Sequence, residues 1–295
     1  VLTLFPYTTL FRSVRTINGL AKDMVHLYWP VVAAEAGFRE PQRPPTFLTI
    51  ETAQYAMSEF VERAVRRGEF DAINVSPQQI ARQIIDNLGK AALMGLDPRE
   101  VPELLSDAWG AERPRKRILA YQAAGRVAHA FRQYCLANRL LDYSLQIELF
   151  ARLLKRPEFR SQFFRNWTHL VVEHVEEETP LTHDLIQTWL PHLEGGLLIG
   201  EWDGGYRIFL GANPQGMDEL RALCEGVLTL PHSYVTSPGI EALLDEVAYS
   251  LRRPGARPAP EGAEPAFEFA FHNFYPEMLN WVASTFDQLV HGEGV

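Results

Sequence analysis

Cysteine is scarce in this chain: two among 295 residues, Cys135 and Cys224. Two cannot build a disulfide framework, and such usage matches a reducing compartment, so a cytoplasmic protein is expected. Long apolar runs are missing too. The longest patch, near Leu27 to Phe38, is broken by Pro30 and Glu35, which leaves no stretch of the roughly 18 residues a bilayer-spanning helix requires. Positive charge is in deficit, with 28 Lys plus Arg against 37 Asp plus Glu and a formal net charge of −9. That balance excludes a broad basic footprint for nucleic acid, while leaving room for a local positive groove. Nor does a GxxxxGK[ST] phosphate loop occur anywhere, so no backbone-amide cradle with its lysine is encoded for a triphosphate. What the chain does have is apolar mass. With 46% hydrophobic residues it can bury a real core, and its length suggests about two domains.

The first thirteen residues stand apart. Val1 to Ser13 superficially resembles a signal peptide, but it has no basic start and no small-residue cleavage site after its apolar part. Thr3 to Ser13 reads as a common short-read sequencing adapter translated in frame. Residues 1–13 are therefore expected to be artefactual, with the natural protein continuing upstream of Val14.

Helical periodicity dominates the next hundred residues. Val14 to Ala36 reads as one amphipathic helix, with Ile17, Leu20, Ala21, Met24 and Leu27 on a stripe. A Pro-rich loop, Glu40 to Pro45, ends it. A helix over about Glu51 to Arg67 closes on Arg66-Arg67-Gly68, a cationic last turn followed by a glycine cap. Ser76-Pro77-Gln78-Gln79 is a capping box with proline at the first helical position, and Asp97-Pro98-Arg99-Glu100 repeats the start signal. A long helix follows over Pro114 to about Arg139. From Leu140 the pattern changes. Helices over Asp142 to Leu154 and Pro157 to Asn166 precede a short apolar run, Thr168 to Val172, which fits a buried parallel strand. A helix over Pro180 to Leu193 leads to a second run, Gly196 to Gly200. Helix, strand, helix, strand in this order points to a parallel sheet. Val227 to Leu230 is a candidate third strand, Gly239 to Leu251 a helix, and Arg253 to Pro265 a linker. Phe267, Phe269 and Phe271 then alternate as in a strand before a last helix from Pro276.

Several of these segments resemble the UvrD/Rep/PcrA family of superfamily 1 DNA helicases. Leu170-Val-Val-Glu-His-Val-Glu-Glu-Glu-Thr-Pro-Leu181 is similar to that family's LVDEFQDTNPLQ. Ile199-Gly-Glu-Trp-Asp-Gly-Gly-Tyr-Arg-Ile-Phe-Leu-Gly-Ala212 is similar to VGDDDQSIYRFRGA. Val14-Arg-Thr-Ile-Asn-Gly-Leu-Ala21 resembles VxTFHxLA, near bound single-stranded DNA, and Leu141-Asp-Tyr-Ser-Leu145 resembles LDFDDL. Ser233 to Ile240 resembles NYRSTPEI, and Tyr275 to Trp281 the helix after it. The six matches run in order over nearly all of Val14 to Val295.

The resemblance implies an α/β fold that is mostly helical overall: a partial RecA-like P-loop NTPase domain carrying a large all-helical insertion. Residues 14–45 would close the first half of RecA-like domain 1, 46–140 would be the insertion, 141–230 the second half, and 231–295 the start of RecA-like domain 2. It also implies ATP and Mg²⁺ as cofactors and single-stranded DNA as partner, with the phosphate loop upstream of Val14 and the remaining motifs beyond Val295. Thr16 and Asn18 would lie near DNA, as would Arg113, Arg115 and Lys116 in the helical insertion.

The catalytic positions depart from the family. Its Mg²⁺-holding Asp and water-orienting Glu fall on Glu173, the implied metal position, and His174; positioning and charge neutralisation of this kind supply nearly all of phosphoryl-transfer catalysis. The Gln and Asp that follow are Glu176 and Glu177. In the second block the Asp remains as Asp203, the γ-phosphate Gln is Gly204, and the Tyr and second Arg are Arg207 and Leu210. The phosphate Arg of NYRS is Val235. The expectation is a UvrD-like fragment with a degenerate, inactive ATPase site, or a non-catalytic pseudo-helicase that binds DNA or a protein partner.

Plainer readings stand beside these. Glu173 to Glu178 can be an acidic helix start favoured by the helix dipole, or a metal cluster built on Glu173, His174 and Glu176. Asp203-Gly204-Gly205 can be a hairpin turn or, as the family implies, a loop after a parallel strand. Arg113, Arg115, Lys116 and Arg117 can be a solvated helix start as well as a DNA contact. Trp167, Trp202 and Trp281 read as packing residues, and Cys135 and Cys224 as buried apolar ones.

Overall fold

The computed structural model describes residues 13–292 except Ala111, Arg113, Asp203, Pro231, His232, Tyr234, Pro254, Pro265 and Glu268. Residues 1–12 of the adapter-like segment therefore lie outside the described residues. The chain divides into two compact units, one up to Glu225 and one from Gly226. It is mostly helical, with two small parallel sheets, and among the described residues no helix is long and apolar enough to cross a membrane.

In the first unit, local capping chemistry sets most boundaries. Helix α1 (Ile17–Leu27) starts where Thr16 Oγ1 accepts from the Gly19 amide at 3.1 Å. The single helix expected over Val14 to Ala36 is two, because Pro30 lacks an N–H and its ring would strike the carbonyl one turn back. The chain breaks at Tyr28 and restarts as α2 (Trp29–Ala36), which ends on Gly37 in the left-handed region. After β1 (Thr46–Phe47) come α3 (Ile50–Arg66) and α4 (Pro77–Leu93). α4 opens on the expected capping box, with both the Ser76 and the Gln79 side chain engaged. Asp97 does not open a helix: its carboxylate accepts from the Arg99 amide at 2.9 Å and pairs with the Arg99 guanidinium, and α5 (Val101–Asp107) begins later.

Helix α6 (Arg115–Asn138) leads to β2 (Leu140–Leu141), which runs parallel to β1, Thr46 opposite Leu140. The helical stretch 46–140 thus leaves and rejoins at one place. Helix α7 (Tyr143–Leu154) is capped by Asp142, and α8 (Pro157–Arg165) follows. Strand β3 (His169–Val172), helix α9 (Pro180–Trp189) and strand β4 (Gly195–Leu198) form the expected parallel pair, His169 to Val172 in register with Gly195 to Leu198. Helix α10 (Gly216–Arg221) completes the unit.

One hydrophobic cluster runs through Val25 of α1, Met57 of α3, Leu88 of α4, Phe131 of α6, Phe150 of α7, Phe163 of α8 and Trp189 of α9. The stretch 46–140 shares this core with the helices on both sides of it. A small second cluster of Val175, Ile186 and Leu220 packs under Val172 and Leu198. That covers one face of the β3–β4 sheet. Val171 and Leu197, cross-strand partners, are exposed on the other, so the strands are half-covered and not buried as their apolar run suggested.

The second unit contains α11 (Pro238–Ser250), capped by Ser237, and α12 (Tyr275–His291). The segment expected as a strand at Val227 to Leu230 is exposed coil, and among the described residues of 267–271 Phe267, Phe269 and Phe271 are exposed and form no ladder. Alternation specifies two faces, but a strand exists only where a neighbour supplies hydrogen bonds.

Candidate functional site

Two loops meet at the carboxyl ends of the parallel strands. Ile199 N donates to Val172 O at 2.8 Å and Val175 N to Ile199 O at 3.1 Å, so the pairing continues past both strands and holds residues 173–178 beside 199–205. Gly204-Gly205 accordingly belongs to a loop after a parallel strand, not to a hairpin; Asp203 is outside the described residues. The first loop turns at His174, whose φ of 57° lies in the left-handed region, uncommon for a residue with a Cβ. It then makes one turn of 3₁₀ helix, Val175–Glu177.

Each residue of that turn is tied down. Glu176 points inward, with only 3% of its side chain exposed, and its Oε2 accepts from the Glu201 amide at 3.0 Å. A buried carboxylate is costly without partners; besides this amide, His174 Nδ1 lies 3.5 Å from Oε1. Glu176 fits because the facing loop is glycine. A Cβ on Gly204 would come 2.9 Å from its Cγ, one on Gly200 3.0 Å from its Oε2, and one on Gly205 3.1 Å from its carbonyl oxygen. Glu177 Oε2 pairs with Arg207 Nε at 3.2 Å. The Glu178 carbonyl accepts from the Asn213 amide at 2.8 Å. The carboxyl of Glu178 is half-buried, and burial pushes its pKa up, against the Thr182 hydroxyl that stabilises the charge. Beneath the turn, His183 Nε2 donates to the Val175 carbonyl at 2.9 Å, which fixes that tautomer. Its Nδ1 is buried against Gly216, where any Cβ would overlap it, and has no partner among the described residues.

The structure thus brings together Glu173, His174, Glu176, Glu177 and Gly204. Glu173 and His174 are exposed at the loop's start. Val235 belongs to the second unit, where it is exposed. Of the residues assigned to DNA, Thr16 and Asn18 have other work in the fold. Thr16 caps α1, and Asn18 receives the buried Gln146 amide of α7 on its backbone carbonyl, at 3.1 Å, and on its side-chain oxygen. Arg115 and Lys116 are exposed at the start of α6; the Arg117 guanidinium lies 4.3 Å over the Trp109 ring. Arg113 is outside the described residues. Trp202, read as packing, is exposed instead, as is Cys224.

Sequence reasoning missed the glycine cradle, His183 and Asn213. Gly204 was legible only as a missing glutamine, although Gly204-Gly205 with Gly200 nearby is the usual mark of close backbone approach.

The chemistry of this donor set is one-sided. Residues 166–206 contain eight Asp or Glu and no Lys or Arg, and the first cation after them, Arg207, is paired with Glu177. Among the described residues no group of three or more His, Cys, Asp or Glu side chains is placed to hold a metal ion, so Glu173, His174 and Glu176 assemble no metal centre. For a Mg²⁺-triphosphate these loops offer carboxylates, the ligands Mg²⁺ takes, but residues 166–206 hold no Lys or Arg for its phosphates, and the Glu201 amide is spent on Glu176. No protein-family model matches the chain, and comparison with curated proteins finds no relative.

Proposed function

We propose that this chain carries a UvrD-like superfamily 1 helicase fold, a partial RecA-like domain with a helical insertion, whose ATPase site no longer hydrolyses ATP. One observation carries the reading. At the family's γ-phosphate glutamine position Gly204 lies against the buried Glu176 side chain, so the space between the two loops is taken up by the protein's own carboxylate. The parallel order of β3 and β4, with both motif-like loops at their carboxyl ends, supports the family reading. In that reading the site has become a clasp between two loops. The protein works as a cytoplasmic, non-catalytic module, and ATP, Mg²⁺ and single-stranded DNA are the ligands its active relatives would use.

The test is ATP turnover by the intact protein with Mg²⁺ and single-stranded DNA. The expected result is no phosphate release above a protein-free control. Turnover in the range of ordinary kinases and ATPases, about 1 s⁻¹ or more, would overturn the reading.

A further inference from the structure

Among the described residues, β3 has β4 on one side and no strand on the other. The register shows which backbone groups are left over. Gly195 N donates to Thr168 O at 3.3 Å and Ile199 N to Val172 O at 2.8 Å, so Thr168, Leu170 and Val172 turn their backbone groups to β4. Alternate residues of a paired strand point the opposite way. His169, Val171 and Glu173 therefore turn N–H and C=O to the outer edge, where no hydrogen bond among the described residues takes them up. Edges meant to stay single are blunted by lysine, proline or a bulge, and His169-Leu170-Val171-Val172 has none of these. The bare face beside the edge is apolar and continuous: Val171 is 63% exposed, and Leu197, its direct partner across the ladder, 54%. β4 is the poorer template, because it opens on Gly195-Gly196, which has no side chains to pair.

The order of side chains along this edge selects the occupant, because the edge is complementary to itself. An antiparallel copy must bring outward-facing residues opposite outward-facing residues. Centred on Leu170, the pairing would set His169 against Val171; centred on Val172, it would set Val171 against Glu173. Centred on Val171, it sets Val171 against Val171 and each His169 against the Glu173 of the other copy, and apolar and opposite-charge pairs directly across a ladder are the stabilising ones. His169 and Glu173 are both exposed, and Gly195, opposite His169 on β4, has no side chain to pin the ring. We infer that a second copy of this chain adds antiparallel to β3 about Val171. The two small sheets become one, with Leu197, Val171, Val171 and Leu197 in a row and a His169–Glu173 pair on either side of the axis. An interface of one short strand per copy belongs to the weak class, below about 1,200 Å², so the association depends on concentration.

The experiment follows the full chain by sedimentation equilibrium from micromolar to millimolar concentration, where a monomer–dimer equilibrium is expected. His169→Glu sets Glu against Glu and Glu173→His sets His against His; each should weaken the dimer about ten-fold, and the double exchange, which restores both pairs in reverse, should recover it to within about three-fold. All these side chains are exposed, and circular dichroism verifies the fold. Oxidative crosslinking locates the axis. It uses a Cys224→Ser background, since Cys224 is exposed and Cys135 buried. Val171→Cys should crosslink as a dimer, because facing Cα atoms about 5.5 Å apart lie within the span of a disulfide. Tyr55→Cys, on the exposed face of α3, should not. A monomer at every concentration, a double exchange no tighter than the single variants, or crosslinking at 171 no faster than at 55 would each overturn the inference; another segment laid along β3 would give the first and the last. The inference stands on the sheet and not on the state of the ATPase site, so ATP turnover would overturn that reading alone.

Discussion

Among single residues, the glycines around Glu176 carry the most information, because each reports how closely the two loops approach. Gly211 has a φ of 99°, and a Cβ added there would meet nothing within 4 Å. Gly211→Ala therefore meets only the left-handed penalty, about 1 kcal/mol. Gly205 adds to the same penalty an overlap with the Pro214 ring. Gly205→Ala should cost distinctly more, about 2–3 kcal/mol in denaturant unfolding, and equal losses for the two variants would contradict the packing described. Gly204→Gln restores the family's residue type but drives a side chain into Glu176. It should destabilise by about 1–3 kcal/mol and bring back no ATP turnover. Glu178 gives the pH counterpart. Burial raises its folded-state pKa, so the folded protein binds that proton more tightly than the unfolded chain. Its contribution to stability is then highest below the unfolded carboxylate pKa and is lost as pH rises through the folded one. Glu178→Gln, neutral throughout, should remove this decline: relative to wild type it gains stability as pH rises above the ordinary carboxylate range, by thermal unfolding at each pH. A wild-type curve of the same slope as the variant's would count against a buried carboxyl at this position.

Elements were legible in the sequence wherever a boundary is written in local chemistry. Ser76 and Gln79 announce the start of α4, Asp142 that of α7, and Pro157 and Pro180 those of α8 and α9, since a cap or an N-terminal proline needs no distant partner. Ser76→Ala should thus cost about 1 kcal/mol by equilibrium unfolding. The strands were harder. β3 and β4 were readable as apolar runs, but neither their half-cover nor the β1–β2 pair could be read, because both depend on contacts across long sequence separations. Phe267, Phe269 and Phe271 show the converse, an alternating pattern with no ladder among the described residues. At the site, the motif blocks located Glu173, His174, Glu176, Glu177 and Gly204 in one place. They did not foretell that Glu176 turns inward, since burial follows from three glycines on the opposite loop and not from the acidic run itself.

At the scale of the molecule, the two units differ in what holds them together. The first unites α1 to α4 and α6 to α9 around fully buried Met57, Phe131 and Phe150. In the second, Ala242 is the one described residue that is buried, while Tyr275, Leu279 and Phe286 of α12 stay exposed. Since apolar burial at roughly 25 cal/mol per Å² must offset the entropy of ordering each residue, the second unit has little to set against that cost. Opening free energies should follow the same division. Amides in the middle of α4, α6 and α7 should exchange only through the largest openings, together, because one cluster links them; those of α11 and α12 should exchange through far smaller openings. Phe150→Ala sharpens the test. Removing that ring should cost about 3–5 kcal/mol and lower protection in α4 and α6 as much as in α7, although α4 and α6 belong to the helical stretch 46–140 and α7 does not. If hydrogen exchange showed α7 loosened and α4 and α6 unchanged, the stretch 46–140 would be a separately stabilised body, and the shared core described for the first unit would be wrong.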